Sequence, residues 1–136
     1  MLTSWRRVTM KTELSAGEWT LMKALWRGAP MTITQLTEVL KDGPGWSKHT
    51  IISMLYRLEA KGAVRYESNG RAKEYIPILE QDSTVRQETG HFLDKVCDGR
   101  LGVMFNAMMD VRPLTQADLD ELSAILEQAK EGNNHA

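Results

Sequence analysis

After Gly62 the hydrophobic period of this chain changes from that of a helix to that of a strand, and this switch constrains the fold more than any other feature. Upstream, apolar residues recur every three or four positions in three short runs. Downstream, Ala63-Val64-Arg65-Tyr66-Glu67 and Glu74-Tyr75-Ile76-Pro77-Ile78 follow a period of two. Ser68-Asn69-Gly70-Arg71 lies between them, so the two runs are expected to pair as a β-hairpin. Pro77 lacks an amide hydrogen and belongs at a strand end or edge.

The three upstream runs carry their own start and stop signals. Ser15 and Glu18 make an S-x-x-E capping box, with Leu14 and Trp19 placed as a hydrophobic staple. Trp19, Met22, Leu25 and Trp26 then repeat at helical spacing until Gly28, with Pro30 beyond it. Met31-Thr32-Ile33 is short and suits a single β-bridge. Thr34 is expected to cap a second helix bearing Leu36, Val39 and Leu40, which the turn cluster Lys41-Asp42-Gly43-Pro44-Gly45 stops. Ser47 caps a third helix from Lys48 to Lys61, whose inward stripe is Ile51, Met54, Leu55 and Leu58.

Past residue 80 the chain becomes helical again. Gln81–Asp98 carries Val85, Phe92, Leu93 and Val96 on a helical period. Leu101–Val111 is dense in large apolar residues, and Pro113 ends it. Thr115 with Asp118 repeats the cap pattern, Leu114 with Leu119 offers a second staple, and Leu119, Leu122, Ile125, Leu126 and Ala129 form the stripe of a last helix. Apolar faces strung after a complete small domain need a partner, and a second copy is the economical one. Phe92, Val96, Leu101, Met104, Phe105, Met108, Leu119, Leu122, Ile125 and Leu126 are the candidate dimer residues.

The order helix, bridge, helix, helix, hairpin predicts a mainly α fold with a small β-wing: a winged helix-turn-helix domain plus a C-terminal helical dimerisation region. The expected divisions are a leader over 1–13, a DNA-binding domain over 14–80, a dimerisation domain over 81–131 and a disordered tail over 132–136.

With 136 residues, 42% of them hydrophobic, the chain can bury a core. A single cysteine, Cys97, excludes an internal disulfide framework, and His49, His91 and His135 have no metal-ligand spacing, so no cofactor or metal is expected. Absence of an apolar h-region or a long apolar span points to a cytoplasmic protein without membrane insertion. No Gly-rich phosphate loop, H-E-x-x-H or G-x-S-x-G occurs, so catalysis has no support. Charge is divided: 12 Lys and Arg face 8 Asp and Glu in residues 1–80, and 5 face 10 in residues 81–136, so +4 and −5 make the whole chain −1. A basic part suited to a polyanion is joined to an acidic part that would avoid one.

Removing the inward stripe of the third helix leaves Lys48, His49, Ile52, Ser53, Tyr56 and Arg57 outward, with Thr50 near the helix start. Lysine and histidine can reach base edges or phosphates, Ile52 can meet a thymine methyl, and Ser53 and Tyr56 can contact phosphate. Arg71 at the wing tip, and more weakly Lys73, suit a phosphate or minor-groove contact. Trp46 beside the cap Ser47 either packs on the core or donates to a phosphate. Arg6, Arg7 and Lys11 either form an arm or belong to a leader. Two other readings are a winged helix used for protein interaction and a redox-sensing regulator acting through Cys97.

LSAGEWTLMKALWRGAPMTITQLTEVL followed by GWSKHTIISMLYRLEAKGAVRYESNGRAKEYIP resembles the penicillinase/methicillin-resistance repressor family of winged-helix transcriptional regulators, with its copper-repressor branch. The matching features are Glu-Trp and Leu-Trp in the first helix, Trp-Ser opening the third, Arg-Leu and Lys-Gly-Ala at its end, and Gly-Arg with Tyr-x-Pro in the wing. The resemblance implies a dimeric repressor of antibiotic-resistance or transport genes, binding palindromic operator DNA through the third helix. It also implies, for the β-lactam branch, release by proteolysis under a membrane sensor protease. This sequence departs from both branches. It lacks Cys-x-Cys, the expected Asn-Phe cleavage bond falls at Ala107-Met108, and Lys48 and His49 stand where proline and lysine are common.

Overall fold

The structure is a computed structural model that describes residues 13–68 and 70–135. The leader candidates Arg6, Arg7 and Lys11 and the turn residue Asn69 lie outside the described residues. The elements are α1 (Ala16–Gly28), α2 (Ile33–Val39), α3 (Lys48–Ala60), β1 (Val64–Ser68), β2 (Lys73–Pro77), α4 (Gln81–Cys97), α5 (Leu101–Val111) and α6 (Gln116–His135). The chain divides into two compact units, the second beginning at His91.

Local chemistry sets the helix ends of the first unit. Ser15 Oγ accepts from Glu18 N at 3.2 Å while Ser15 N donates to Glu18 Oε1 at 2.8 Å, completing the box expected at the start of α1. α2 is capped by Thr32, not Thr34. Gln35 Oε1 accepts from Thr32 N at 2.8 Å and Thr32 Oγ1 from Gln35 N at 3.2 Å, a reciprocal pair that places Thr34 already inside the first turn. The Thr32 backbone is extended, and Met31 just before it makes the single bridge, pairing with Tyr75 through bonds of 3.1 and 2.7 Å. α3 ends where Gly62 adopts φ +78°, a conformation that favours glycine. Ala63 N then donates to Leu58 O and Gly62 N to Glu59 O, the two bonds of a Schellman motif.

β1 and β2 pair antiparallel with Val64 opposite Pro77, Tyr66 opposite Tyr75 and Ser68 opposite Lys73. Val64 and Tyr75 are buried against the helices, and the hairpin beyond them is exposed. The core gathers Leu21, Met22 and Leu25 of α1, Leu36 of α2, Ile51, Leu55 and Leu58 of α3, and Val64. Each such side chain contributes roughly 1.5–3 kcal/mol of burial, so these elements form one cooperative body. Of the apolar residues on the period expected for α2, Leu36 and Leu40 are buried in the core, Ile33 packs against it, and Val39, expected inward, is 57% exposed. Trp19 and Trp26 meet edge to face at 5.8 Å, and both indole N–H groups are satisfied: Trp26 by Leu79 O at 2.9 Å, Trp19 by Glu88 Oε1 at 3.3 Å. Glu88 Oε1 also accepts from Leu14 N at 3.4 Å, and Thr84 is buried. These contacts tie the first turns of α4 to the first unit, which ends at Gly90 where the sequence suggested 80.

The second unit holds the rest of α4 with α5 and α6. Thr115 N donates to Asp118 Oδ2 at 3.0 Å and Asp118 N to Thr115 Oγ1 at 3.1 Å, the expected cap of α6. The Thr115 backbone N–H and hydroxyl hold the Asp118 carboxyl below its ordinary value. α6 runs on through Gly132 and Asn133 to His135, so residues 132–135, expected to belong to a disordered tail, are helical. No proline interrupts it, and a glycine costs a helix only about 1 kcal/mol, which the preceding turns can carry. No residue of α5 is buried, although eight of its eleven are apolar side chains or alanine. Among the described residues no helix is long and apolar enough to cross a membrane, and no three His, Cys, Asp or Glu side chains gather as a metal site.

Candidate nucleic-acid interface

α3 is placed by what it buries. With Ile51, Leu55 and Leu58 turned into the core, Lys48, His49, Ile52, Ser53, Tyr56 and Arg57 are all exposed on the outside. Ile52 is 47% exposed and Tyr56 74%. Lys48 and Arg57 have no ion-pair partner among the described residues, so the face carries uncompensated positive charge at both ends. Ser47 Oγ accepts from Thr50 N at 3.3 Å and lies 3.3 Å from Thr50 Oγ1, so these two hydroxyls are engaged in the cap and present its rim.

Trp46 is half-buried and packed on the core. Its ring lies beside Gly17, where an added Cβ would sit 3.6 Å from Trp46 Cη2 and 2.5 Å from Met54 Cε. Gly17 thus leaves room for the end of the Met54 side chain against α1. Nothing in the sequence marks this contact, because a glycine in the first turn of a helix reads only as a weak helix former.

The other end of α3 is held by an ion pair that the sequence reading also missed. Lys61 Nζ donates to Glu18 Oε1 at 2.6 Å and to Glu13 O at 2.9 Å. The Glu18 side chain is 3% exposed, and its Oε2 is buried with no hydrogen-bond partner among the described residues. Burial pushes the Glu18 carboxyl up. The Lys61 hydrogen bond, the Ser15 backbone N–H and the Lys61 charge together outweigh it and hold the group below its ordinary value.

In the wing, Arg71 is exposed just past the loop and has no ion-pair partner among the described residues. Arg65 is paired with Glu67 at 2.9 Å, so its charge is locally balanced. Lys73 is exposed, with its Nζ 4.3 Å from the centre of the Tyr66 ring.

The candidate dimer residues fall into the second unit. Phe92, Val96, Leu101, Phe105, Met108, Leu119, Ile125 and Leu126 are exposed in the single chain, whereas Met104 and Leu122 are half-buried. Two apolar concavities open there. Phe92, Val96, Cys97, Met104 and Met108 line one, and Phe105, Met108, Leu119, Leu122, Ile125 and Leu126 line the other. The Cys97 thiol itself is buried. Ala107 and Met108, the candidate cleavage bond, are exposed within α5.

Known proteins match over both units. The penicillinase repressor of Bacillus licheniformis is 28% identical over 118 residues, 87% of this chain and 92% of that protein. The methicillin resistance regulatory protein MecI of Staphylococcus aureus is 24% identical over 114 residues, 84% of this chain and 93% of that protein. A solution structure of the DNA-binding domain of the repressor BlaI is 30% identical and covers 52% of this chain and 85% of that one, with a TM-score of 0.48. Residues 14–128 match the penicillinase repressor family as a whole, and the chain belongs to that family.

Proposed function

We propose that this chain is a DNA-binding transcriptional repressor that acts as a homodimer on a palindromic operator. The observation that carries the reading is the outward face of α3, where Ile52 and Tyr56 stand exposed between Lys48, His49 and Arg57. A major-groove helix uses both kinds of group: cations for phosphates and guanine, and an aliphatic surface for the thymine methyl. Arg71 adds a backbone contact from the wing. The relatives named a penicillinase repressor and a methicillin resistance regulatory protein support the same reading.

The bare faces of α5 and α6 support the dimer. A helix of mostly apolar residues that buries none of them in one chain is stabilised when a second copy covers it. Two α3 helices would then address half-sites about one helical turn apart. In this reading Cys97 packs the second unit, and any cleavage at Ala107–Met108 by a membrane sensor protease acts on a helix that the dimer shields.

Binding of the full chain to a random-sequence duplex, followed against salt, tests the function. A repressor of this kind gives log K falling linearly with log salt, with a slope of several units. A slope near zero replaces it with a protein-interaction module. Dependence of binding on peroxide would replace it with a redox sensor acting through Cys97.

A further inference from the structure

The hairpin has an internal division of labour that its sequence conceals. Alternation puts Tyr66, Ser68, Lys73 and Tyr75 on one face, and Arg65, Glu67, Glu74 and Ile76 on the other. The first face is the one that turns toward the helices: Val64 and Tyr75 at its base are buried, and it extends past the core into solvent, where Tyr66 is 39% exposed. On the other face Arg65 is engaged by Glu67. Lys73 instead sits over an aromatic ring, which holds a cation without neutralising it.

Resting on the DNA-binding reading, we infer that Tyr66 is a positioning residue of the wing: its ring holds the Lys73 ammonium in place for a DNA phosphate. The Tyr66 ring is itself fixed, because it packs on the buried Tyr75 opposite it at 5.7 Å between centres. A free lysine has several rotatable bonds to immobilise on binding phosphate. One already laid over a ring loses less, and its ammonium, with three donors, keeps hydrogens for an oxygen on the side facing away from the ring. The chain Tyr75–Tyr66–Lys73 thus carries rigidity from the core to the exposed hairpin.

The test uses the full chain and a random-sequence duplex of about 30 base pairs, since a phosphate contact has no base preference. Tyr66→Leu should weaken binding about two- to five-fold at low salt, the range of an exposed cation–π contact, and Tyr66→Phe should restore it. Lys73→Met should lower the log K against log salt slope by about 0.9. Tyr66→Leu placed on Lys73→Met should cost nothing more, because its effect passes through the lysine. In the free protein, the Lys73 Hε resonances should carry a ring-current shift that Tyr66→Leu removes and Tyr66→Phe keeps. Equal loss from Tyr66→Leu with and without Lys73 overturns the positioning role. So does unchanged or tighter binding, which would mean that the ring keeps the lysine away from phosphate. If the unmodified chain fails to bind duplex at all, the DNA-binding reading falls and takes this inference with it, a result distinct from either.

Discussion

Lys61 Nζ lies 2.6 Å from Glu18 Oε1, so the C-cap of the exposed helix α3 is held by the first turn of α1. The pair joins two helices that α2 separates in the chain, and it adds a polar tie to the core contacts that place α3. The Lys61 side chain is 35% exposed and that of Glu18 is 3% exposed, so the carboxylate is the more desolvated partner.

Lys61→Met should therefore destabilise the fold by about 3 kcal/mol, the low end for breaking a buried pair, because Ser15 N–H still serves the carboxylate. Glu18→Gln should cost less, about 1 kcal/mol, since no uncompensated charge remains inside. Urea unfolding at neutral pH measures both. The pH dependence has a definite sign. The Glu18 carboxyl is held below its ordinary value in the folded state. Its contribution is present above the unfolded carboxylate range near pH 4.3 and is lost as pH falls through the folded value. Lys61→Met removes two of the lowering influences, raises that folded value and should move acid unfolding to higher pH.

Which features were legible in the sequence follows from how local their causes are. The cap of α1 by Ser15, the end of α3 at Gly62, the hairpin and the outward register of α3 rest on residues within four positions of one another or on a simple period, and all could be read. Thr32 lost to Thr34 because two threonines were available and only the reach of Gln35 decides between them. The Glu18–Lys61 pair, Gly17 beneath Trp46 and the bonds from Leu14 and Trp19 to Glu88 join residues more than twenty-five positions apart, and nothing in a single sequence marks such partners. Tyr66 was hidden differently. Alternation read it as a strand residue and was correct, but the cation above it is visible only when the register pairs Ser68 with Lys73.

Arg71→Ala should weaken DNA binding across all sequences and leave base preference intact. An exposed arginine beside the hairpin loop has phosphates within its reach, and phosphates carry no sequence information. The slope of log K against log salt should drop by about one. A loss concentrated at one base pair would instead make Arg71 a reader of bases in the minor groove.

Phe105→Asp and Ile125→Asp should each convert the protein to a monomer. Both side chains line the same concavity and are exposed in the single chain, so a charge there spares the fold and is costly only under a second copy. Sedimentation equilibrium reads the mass, and far-ultraviolet dichroism should show unchanged helix content. Operator affinity should fall roughly 100-fold as two linked half-sites become one. A dimer that survives both substitutions would put the interface elsewhere.

Ile52→Ala should relax base preference at one symmetric T·A position in each half-site and leave non-specific binding nearly unchanged. Ile52 is 47% exposed on the outward face of α3, three residues after His49 and one helical turn before Tyr56. A branched aliphatic group has no hydrogen bond to offer, so its only discriminating contact in the major groove is the thymine methyl. Contacts of this class are worth about 1–3 kcal/mol of discrimination at best, and an apolar one belongs at the lower end. His49→Ala should act at a different base pair, because a neutral imidazole can donate one hydrogen bond to a purine N7 and packs poorly on a methyl. Selection over randomised duplexes, run with the unmodified chain and the two variants, separates these contributions position by position. Identical preferences in all three proteins would remove both residues from readout, and the cations Lys48 and Arg57 would remain as contacts that position α3 without reading sequence.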